Sequence, residues 1–241
     1  MKKFVQNILQ RALGFRRYLN LFSWFKIKTL HWDKKEGDFL HFLSLLGPED
    51  HVLDVGANIG IMTVHLARRC SHGQVHAFEP ISENVATLNH VIARFRLDNV
   101  TLHPVALGAE PGELEMVMPE VENVRMQGLS HVVHESIPDF NEGTRYKVPV
   151  HRLDDLREHW GTIKGIKIDV ENFEFFVFEG AQNLLREDGP VIYCELWDNE
   201  NRQKCFDLLR GLDYRVMVLE NGALTAFEDG RHTQQNFFFV K

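Results

Sequence analysis

The sequence predicts an α/β fold: a mostly parallel seven-stranded sheet with an antiparallel edge strand and helices on both faces. Three observations predict it. After residue 50, short apolar runs alternate with helical patterns, the order that builds a parallel sheet. The first run passes straight into a Gly-rich turn and then a helix. The last two runs have no helical pattern between them, which sets one of them antiparallel at the edge.

Residues 1–32 contain Lys2, Lys3, Arg11, Arg16, Arg17, Lys26 and Lys28 and no Asp or Glu. Phe4, Ile8, Leu9, Leu13 and Phe15 share much of one helical face. A second helical pattern, Asp38 to Leu46, is stopped by Gly47-Pro48. Residues 1–47 therefore read as a basic helical arm ahead of a domain spanning 48–241. The preferred reading packs the apolar stripe on that domain. The sharper one is a peripheral surface that meets anionic lipid or an anionic substrate.

Within the domain, Val52 to Val55 reads as a strand, Ile61 to Arg69 as a helix and Gln74 to Phe78 as a second strand. Glu83 to Arg94 is the next helix, and Asn99 to Leu107 contains a third strand. Glu113 to Met118 and Tyr146 to His151 also look like strands. The polar stretch between them, Pro119 to Arg145, reads as an insertion or lid. The regular order resumes with a strand at Gly165 to Asp169, a helix from Phe175 to Arg186, a strand from Pro190 to Glu195 and a helix from Asn199 to Leu212. Tyr214 to Leu219 and Asn236 to Val240, joined by a short hairpin-like link, complete the sheet.

A chain of 241 residues accommodates one such domain with an appendage. Its hydrophobic fraction of 44% sets disorder aside. The net charge of −7 argues against a nucleic-acid partner. Cys70, Cys194 and Cys205 are odd in number and form no CxxC pair, as free thiols in a reducing compartment would. No apolar run has membrane-spanning length, and Gln6, Asn7, Gln10 and Arg11 interrupt any secretory leader. A cytoplasmic location is the expectation.

The most informative segment is Val52-Leu53-Asp54-Val55-Gly56-Ala57-Asn58-Ile59-Gly60. Gly56 and Gly60 remove side chains where a ligand approaches the backbone, at the carboxyl end of a strand, where such sheets bind ligands. Asp54 can accept hydrogen bonds from the turn or face a ligand ammonium group. Glu79, nineteen residues beyond Gly60, stands where a carboxylate accepts hydrogen bonds from two ribose hydroxyls. A nicotinamide dinucleotide needs glycine where this turn has Asn58, because its pyrophosphate must touch the loop. A nucleoside without phosphates and with an amino-acid tail fits better, and S-adenosylmethionine is one.

Asp169, Glu171 and Glu195 fall at the ends of the fourth and fifth strands, aimed at the same cleft. Adjacent carboxylates raise one another's pKa, which suits a general base; capping the following helix is the structural alternative. His131 and His134 are secondary candidates for the base, weighed against solvated loop histidines. The strand-end carboxylates could also hold a divalent cation through oxygen ligands, the lesser reading, and no metal ligand is assigned. Trp197, Phe173, Phe175, Phe176 and Phe178 read as core packing rather than substrate contacts.

Five segments in series, VLDVGANIG (Val52 to Gly60), VHAFEP (Val75 to Pro80), HRLDDL (His151 to Leu156), IKIDVENFE (Ile166 to Glu174) and EGAQNLL (Glu179 to Leu185), resemble the FkbM family of methyltransferases. The resemblance implies a Rossmann-like class I methyltransferase fold and O-methylation of sugar, glycan or natural-product hydroxyls with S-adenosylmethionine. It implies cofactor contacts at Asp54, Gly56, Asn58, Gly60 and Glu79, a set that Ala106 completes, and site roles for Asp169 and Glu171. Asn172 stands where the family usually has glycine; asparagine tolerates the left-handed backbone best among the other residues. Two rival readings are a non-catalytic S-adenosylmethionine-binding module, which Asn172 keeps open, and a nicotinamide-dependent oxidoreductase, against which Asn58 speaks.

Overall fold

The computed structural model describes residues 2–134 and 141–241. The arm is two helices, α1 (Lys2–Leu13) and α2 (Phe15–Thr29), hinged at Gly14, followed by α3 (Gly37–Ser44). The first half of the domain is β1 (His51–Val55), α4 (Ile61–Arg69), β2 (Val75–Phe78), α5 (Ser82–Phe95) and β3 (Val100–His103). A second group follows: β4 (Ala106–Leu107), β5 (Gly112–Val121), β6 (Val124–Arg125), β7 (His131–Val132), β8 (Gly143–His151) and α6 (Leu153–Leu156). The chain finishes with β9 (Ile163–Ile168), α7 (Glu174–Glu179), α8 (Gln182–Glu187), β10 (Val191–Glu195), α9 (Glu200–Arg210), β11 (Arg215–Glu220), β12 (Ala223–Ala226) and β13 (Asn236–Val240).

The main sheet is α/β and mostly parallel, in the order β12-β11-β13-β10-β9-β1-β2-β3. It differs from the expected sheet in two ways. It has eight strands, and besides the antiparallel strand β12 at its edge it holds a second one, β13, inside the sheet between β10 and β11. The eighth strand arises from Asn221-Gly222, which the sequence reading passed over as part of a link. Both residues have positive φ, 52° and 83°, as a two-residue hairpin turn requires. That turn folds β12 back on β11.

The third predicted strand is two strands in two sheets. Pro104 has no N–H to give the ladder, so β3 ends at His103 and β4 leaves to pair with β8. The helix expected from Phe175 to Arg186 is broken at Gly180, whose Cα lies so close to the Gly108 carbonyl that a β-carbon would overlap it. Asp154 then accepts hydrogen bonds from the Asn183 and Leu184 amides (3.0 and 2.9 Å) and starts α8. The polar stretch from Pro119 to Arg145 forms the far end of a hairpin: β5 pairs with β8 from Gly112↔Val150 to Pro119↔Gly143, and within the stretch β6 and β7 pair back on β5. Residues 135–140 of that stretch lie outside the described residues.

The arm is less separate than its composition suggests. Phe39, Phe42 and Leu46 are fully buried against Tyr193 and Phe238 on one face of the sheet, and Gly165 leaves room for Leu46 and Phe42 to approach β9. The other face is covered by α7, α8 and α9 through Val177, Phe178, Leu184 and Phe206. Cys70, Cys194 and Cys205 are all buried free thiols. Among the described residues no helix is long and apolar enough to cross a membrane.

Candidate functional site

The parallel register brings the carboxyl ends of β1, β2, β9 and β10 level: Val55 pairs with Phe78 and Ile168, and Ile168 with Cys194. The turn after β1 opens there. The Gly56 and Ala57 amides donate to the Phe78 carbonyl (3.1 and 2.9 Å). Gly56 has φ 75°, and a β-carbon would overlap the Asp169 carbonyl, so only glycine lets the turn and the β9 end meet. Gly60, at φ 81°, admits Leu88 and Val91 of α5 against the start of α4. Asn58 adopts the left-handed region at φ 49°, where asparagine is tolerated.

Below the turn lies a hollow of about 630 Å³, partly open to solvent. Glu79 is buried in its wall. One carboxylate oxygen accepts from the Ile81 amide (2.8 Å) and the Asn84 side-chain amide (3.2 Å), the other from the Asn58 amide (2.9 Å). Burial outweighs these bonds and pushes the carboxyl up to about 7. With three donors on two oxygens, the oxygen facing Asn58 keeps a lone pair. Asn58 and Asn84 also line the hollow, and the side-chain oxygen of each is buried without a donor among the described residues. The orientation of both amides is set, because Asn58 Nδ2 donates to the Gln127 carbonyl (3.1 Å) and Asn84 Nδ2 to Glu79. The wall is therefore rich in acceptors that lack hydrogens.

Opposite stand the acids. Asp169 and Glu171 line the same hollow. Glu171 and Asn172 take consecutive positive φ values of 52° and 73°, which turn the chain sharply out of β9. Burial, then Asp169, Glu195 and Glu174, hold the Glu171 carboxyl well above the carboxylate range. Glu195, also raised to about 7 by burial and by Asp169, lies one strand over and outside the lining. The structural work falls to Glu174, which accepts from the Val170 and Asn172 amides (3.1 and 3.2 Å).

The profile of the Methyltransferase FkbM domain matches residues 54–222. The chain belongs to the FkbM methyltransferase family. Its relatives include the AMB antimetabolite synthetase AmbE of Pseudomonas aeruginosa, 24% identical over 75% of this chain and 10% of that protein. Methyltransferase 1 of Beauveria bassiana is 25% identical over 56% of this chain and 60% of its own length. The chain thus spans less than two thirds of either relative. Among solved structures, an FkbM methyltransferase from Methylobacillus flagellatus KT superposes with a TM-score of 0.54 at 17% identity, over 81% of this chain and 44% of that one. Aeropyrum pernix fibrillarin, solved with S-adenosyl-L-methionine natively bound, gives 0.51 at 12% identity, over 86% and 74%. These likenesses show a Rossmann-like methyltransferase fold.

Within the family frame, the residues singled out from sequence fall into two groups. Gly56, Asn58, Glu79, Ala106, Asp169 and Glu171 line the hollow. Asp54 and Gly60 do not, and their positions explain why. Asp54 is fully buried behind the turn, where it accepts from Thr63 Oγ1 (2.6 Å) and pairs with Lys167 Nζ at 3.4 Å. Through these contacts Asp54 braces the turn. Lys167, which the sequence reading passed over, is 3% exposed and donates to the Gly56 carbonyl (2.9 Å). Burial would lower it, but Asp54, Asp169 and Glu79 hold its pKa above the ordinary lysine range. A lysine at the centre of the apolar run Ile166-Lys167-Ile168 was its only signal.

The histidines divide as well. His131 is buried, with Nδ1 at 2.8 Å from the Leu129 carbonyl and Nε2 at 3.3 Å from Asn141; it is built into the hairpin and is not a solvated loop residue. His134 packs edge-on against Phe173 and Phe176. Phe173 both packs in a core cluster and lines the hollow, beyond the packing role expected of it. Gly128, Ser130 and Val132 of the hairpin supply further lining, so the stretch read as a lid forms one wall. Among the described residues no group of three His, Cys, Asp or Glu side chains is placed to hold a metal ion.

Proposed function

We propose that this chain is an S-adenosylmethionine-dependent O-methyltransferase acting on a hydroxyl of a sugar, glycan or natural product. One observation carries the reading: a single hollow joins an acceptor-rich wall at Asn58, Glu79 and Asn84 to the carboxylates of Asp169 and Glu171. The wall fits the cofactor by its chemistry, since undonated buried oxygens call for hydroxyl and amino hydrogens, which an adenosyl group with an amino-acid tail carries. When bound, S-adenosylmethionine supplies an electrophilic methyl group. Glu79 would hold the ribose hydroxyls, and Gly56, Asn58 and Ala106 would shape the surrounding wall. The description of one relative as an antimetabolite synthetase supports a natural-product acceptor.

The remaining steps belong to the acids. Asp169 would take the hydroxyl proton as the acceptor oxygen bonds to the methyl carbon and the carbon–sulfur bond to the departing thioether breaks. Glu171, whose carboxyl burial and Asp169 hold above the carboxylate range, would orient the acceptor by a hydrogen bond. Calorimetric titration with S-adenosylmethionine, followed by transfer of its labelled methyl group to a panel of sugar, glycan and natural-product hydroxyls, tests the reading. Binding with transfer to oxygen is expected. No binding would overturn the proposal, and binding with no transfer to any acceptor would leave the non-catalytic module.

A further inference from the structure

We infer that the arm is a peripheral dock for a bilayer carrying anionic lipid. In α2, Arg17, Leu21, Trp24, Phe25 and Lys28 are all exposed. Their spacing of i, i+4, i+7, i+8 and i+11 puts them on one side of the helix. In α1, Phe4, Ile8, Arg11 and Ala12 follow i, i+4, i+7 and i+8 with Val5 beside Phe4, again on one side, and all are exposed. A helix packed on a globular domain turns its polar side outward. Here the inward side of α2, with Tyr18, Leu19 and Ile27, is already buried, and the outward side is apolar too.

The two stripes meet. Val5 and Leu9 of α1 and Leu21, Phe22, Trp24 and Phe25 of α2 line one apolar groove of about 1290 Å³, open solvent included, and Trp32 beyond α2 is 80% exposed. Contiguous exposed apolar surface rimmed by polar residues marks an interaction face. Charge selects the occupant. Residues 1–32 hold seven Lys and Arg and no acid, in a chain whose net charge is −7. Basic residues beside exposed Trp, Phe and Leu are the combination that an interfacial helix presents to anionic lipid. A second copy of the chain would set two like-charged arms face to face, and a soluble polyanion would leave the apolar stripe in water. The arm also touches the lid: Asn7 and Gln10 donate to carbonyls of Glu122, Asn123 and Arg125, which holds α1 to the domain from the side away from the exposed stripe.

Docking needs neither cofactor nor acceptor, so its test fails independently of the methyl-transfer reading. The full chain is sedimented with phosphatidylcholine vesicles and with vesicles of phosphatidylcholine mixed with phosphatidylglycerol. Salt-sensitive partition to the anionic vesicles, with a blue shift of tryptophan emission, is expected. Arg17→Gln and Lys28→Gln should each lower that partition about fivefold, and the pair Trp24→Ser/Phe25→Ser about tenfold or more, with thermal melting unchanged. No partition, equal partition to both vesicle types, or partition indifferent to the Trp24/Phe25 pair would overturn the inference. So would concentration-dependent dimerisation abolished by that pair, which would make the occupant a second copy.

Discussion

Glu79 gives the sharpest test, because its charge state and its proposed ligand are coupled. Burial raises its carboxyl from 4.5 to about 7. That rise corresponds to ~3 kcal/mol of charge-burial cost, absent below the ordinary pKa and reached in full as pH climbs through 7, so Glu79 lowers stability as pH rises over that window. A ribose hydroxyl donating to the free lone pair favours the ionised form. If the ligand binds only that form, the competent fraction grows from roughly a tenth at pH 6 to about nine-tenths at pH 8. Affinity for S-adenosylmethionine should then tighten about tenfold across the interval, with close to one proton released at pH 6. Calorimetry in buffers of different ionisation enthalpy reads both quantities. Glu79→Gln should abolish the pH dependence and weaken binding by ~1.5–3 kcal/mol, the worth of a charged hydrogen bond. Glu79→Ala is the poorer variant, since it strips an acceptor from the buried Asn58 and Ile81 amides and loosens the turn itself. A flat affinity between pH 6 and 8 without proton release, or a Glu79→Gln protein that binds like the parent, would refute the assignment.

Asp169→Asn should cut turnover about a hundredfold or more and leave cofactor affinity within a few-fold; equal losses in calorimetry and labelled-methyl transfer would make Asp169 a binding residue instead. Lys167→Met leaves Asp54 buried beside no cation and should lower stability by ~3–5 kcal/mol in denaturant titration, whereas a change below ~1 kcal/mol would remove the bracing role. Gly56→Ala drives a β-carbon into the Asp169 carbonyl; a loss of ~1–3 kcal/mol on thermal melting is expected, and an unchanged melting temperature would mean that the two strand ends are not held together.

The alternation from β1 to α9 was legible because each core strand is an apolar run bounded by turn residues, and the match of α4 to Ile61–Arg69 followed from a glycine ahead of it and basic residues at its end. What could be read was local. Pro104 and Asn221-Gly222 were local signals too, but both were submerged in longer runs whose composition pointed elsewhere. The position of β13 was not legible, since nothing in Asn236 to Val240 states which two strands it parts. Nor was the burial of α3: Phe39 and Phe42 look like any helical stripe until Gly165, far along the chain, is seen to leave space for them. The hollow was legible as a list of strand-end residues. Its closure by Asn58 and the Gln127 carbonyl, 69 residues apart, depends on where a polar hairpin lies, and polar sequence carries no such address.

The distribution of acids shows how a site forms from residues that share one charge. Asp54 is matched by Lys167 and Thr63, Asp154 by two amides of α8, Asp188 by Arg157 and the Ile163 amide, and Glu174 by two amides of its own turn. Each of these carboxylates holds chain segments together, and each could be exchanged only at the cost of unpaired buried donors or charge. Asp169 and Glu171 accept no such hydrogen bonds among the described residues; Lys167 is the cation near them, yet they sit close enough to each other and to Glu195 to raise Glu171 and Glu195. Repulsion of that kind does nothing for folding. A fold that keeps it, on a backbone bent through two consecutive left-handed residues, spends stability where a proton has to move. The base is therefore to be sought among the acids with no structural employment, and in the hollow these are Asp169 and Glu171.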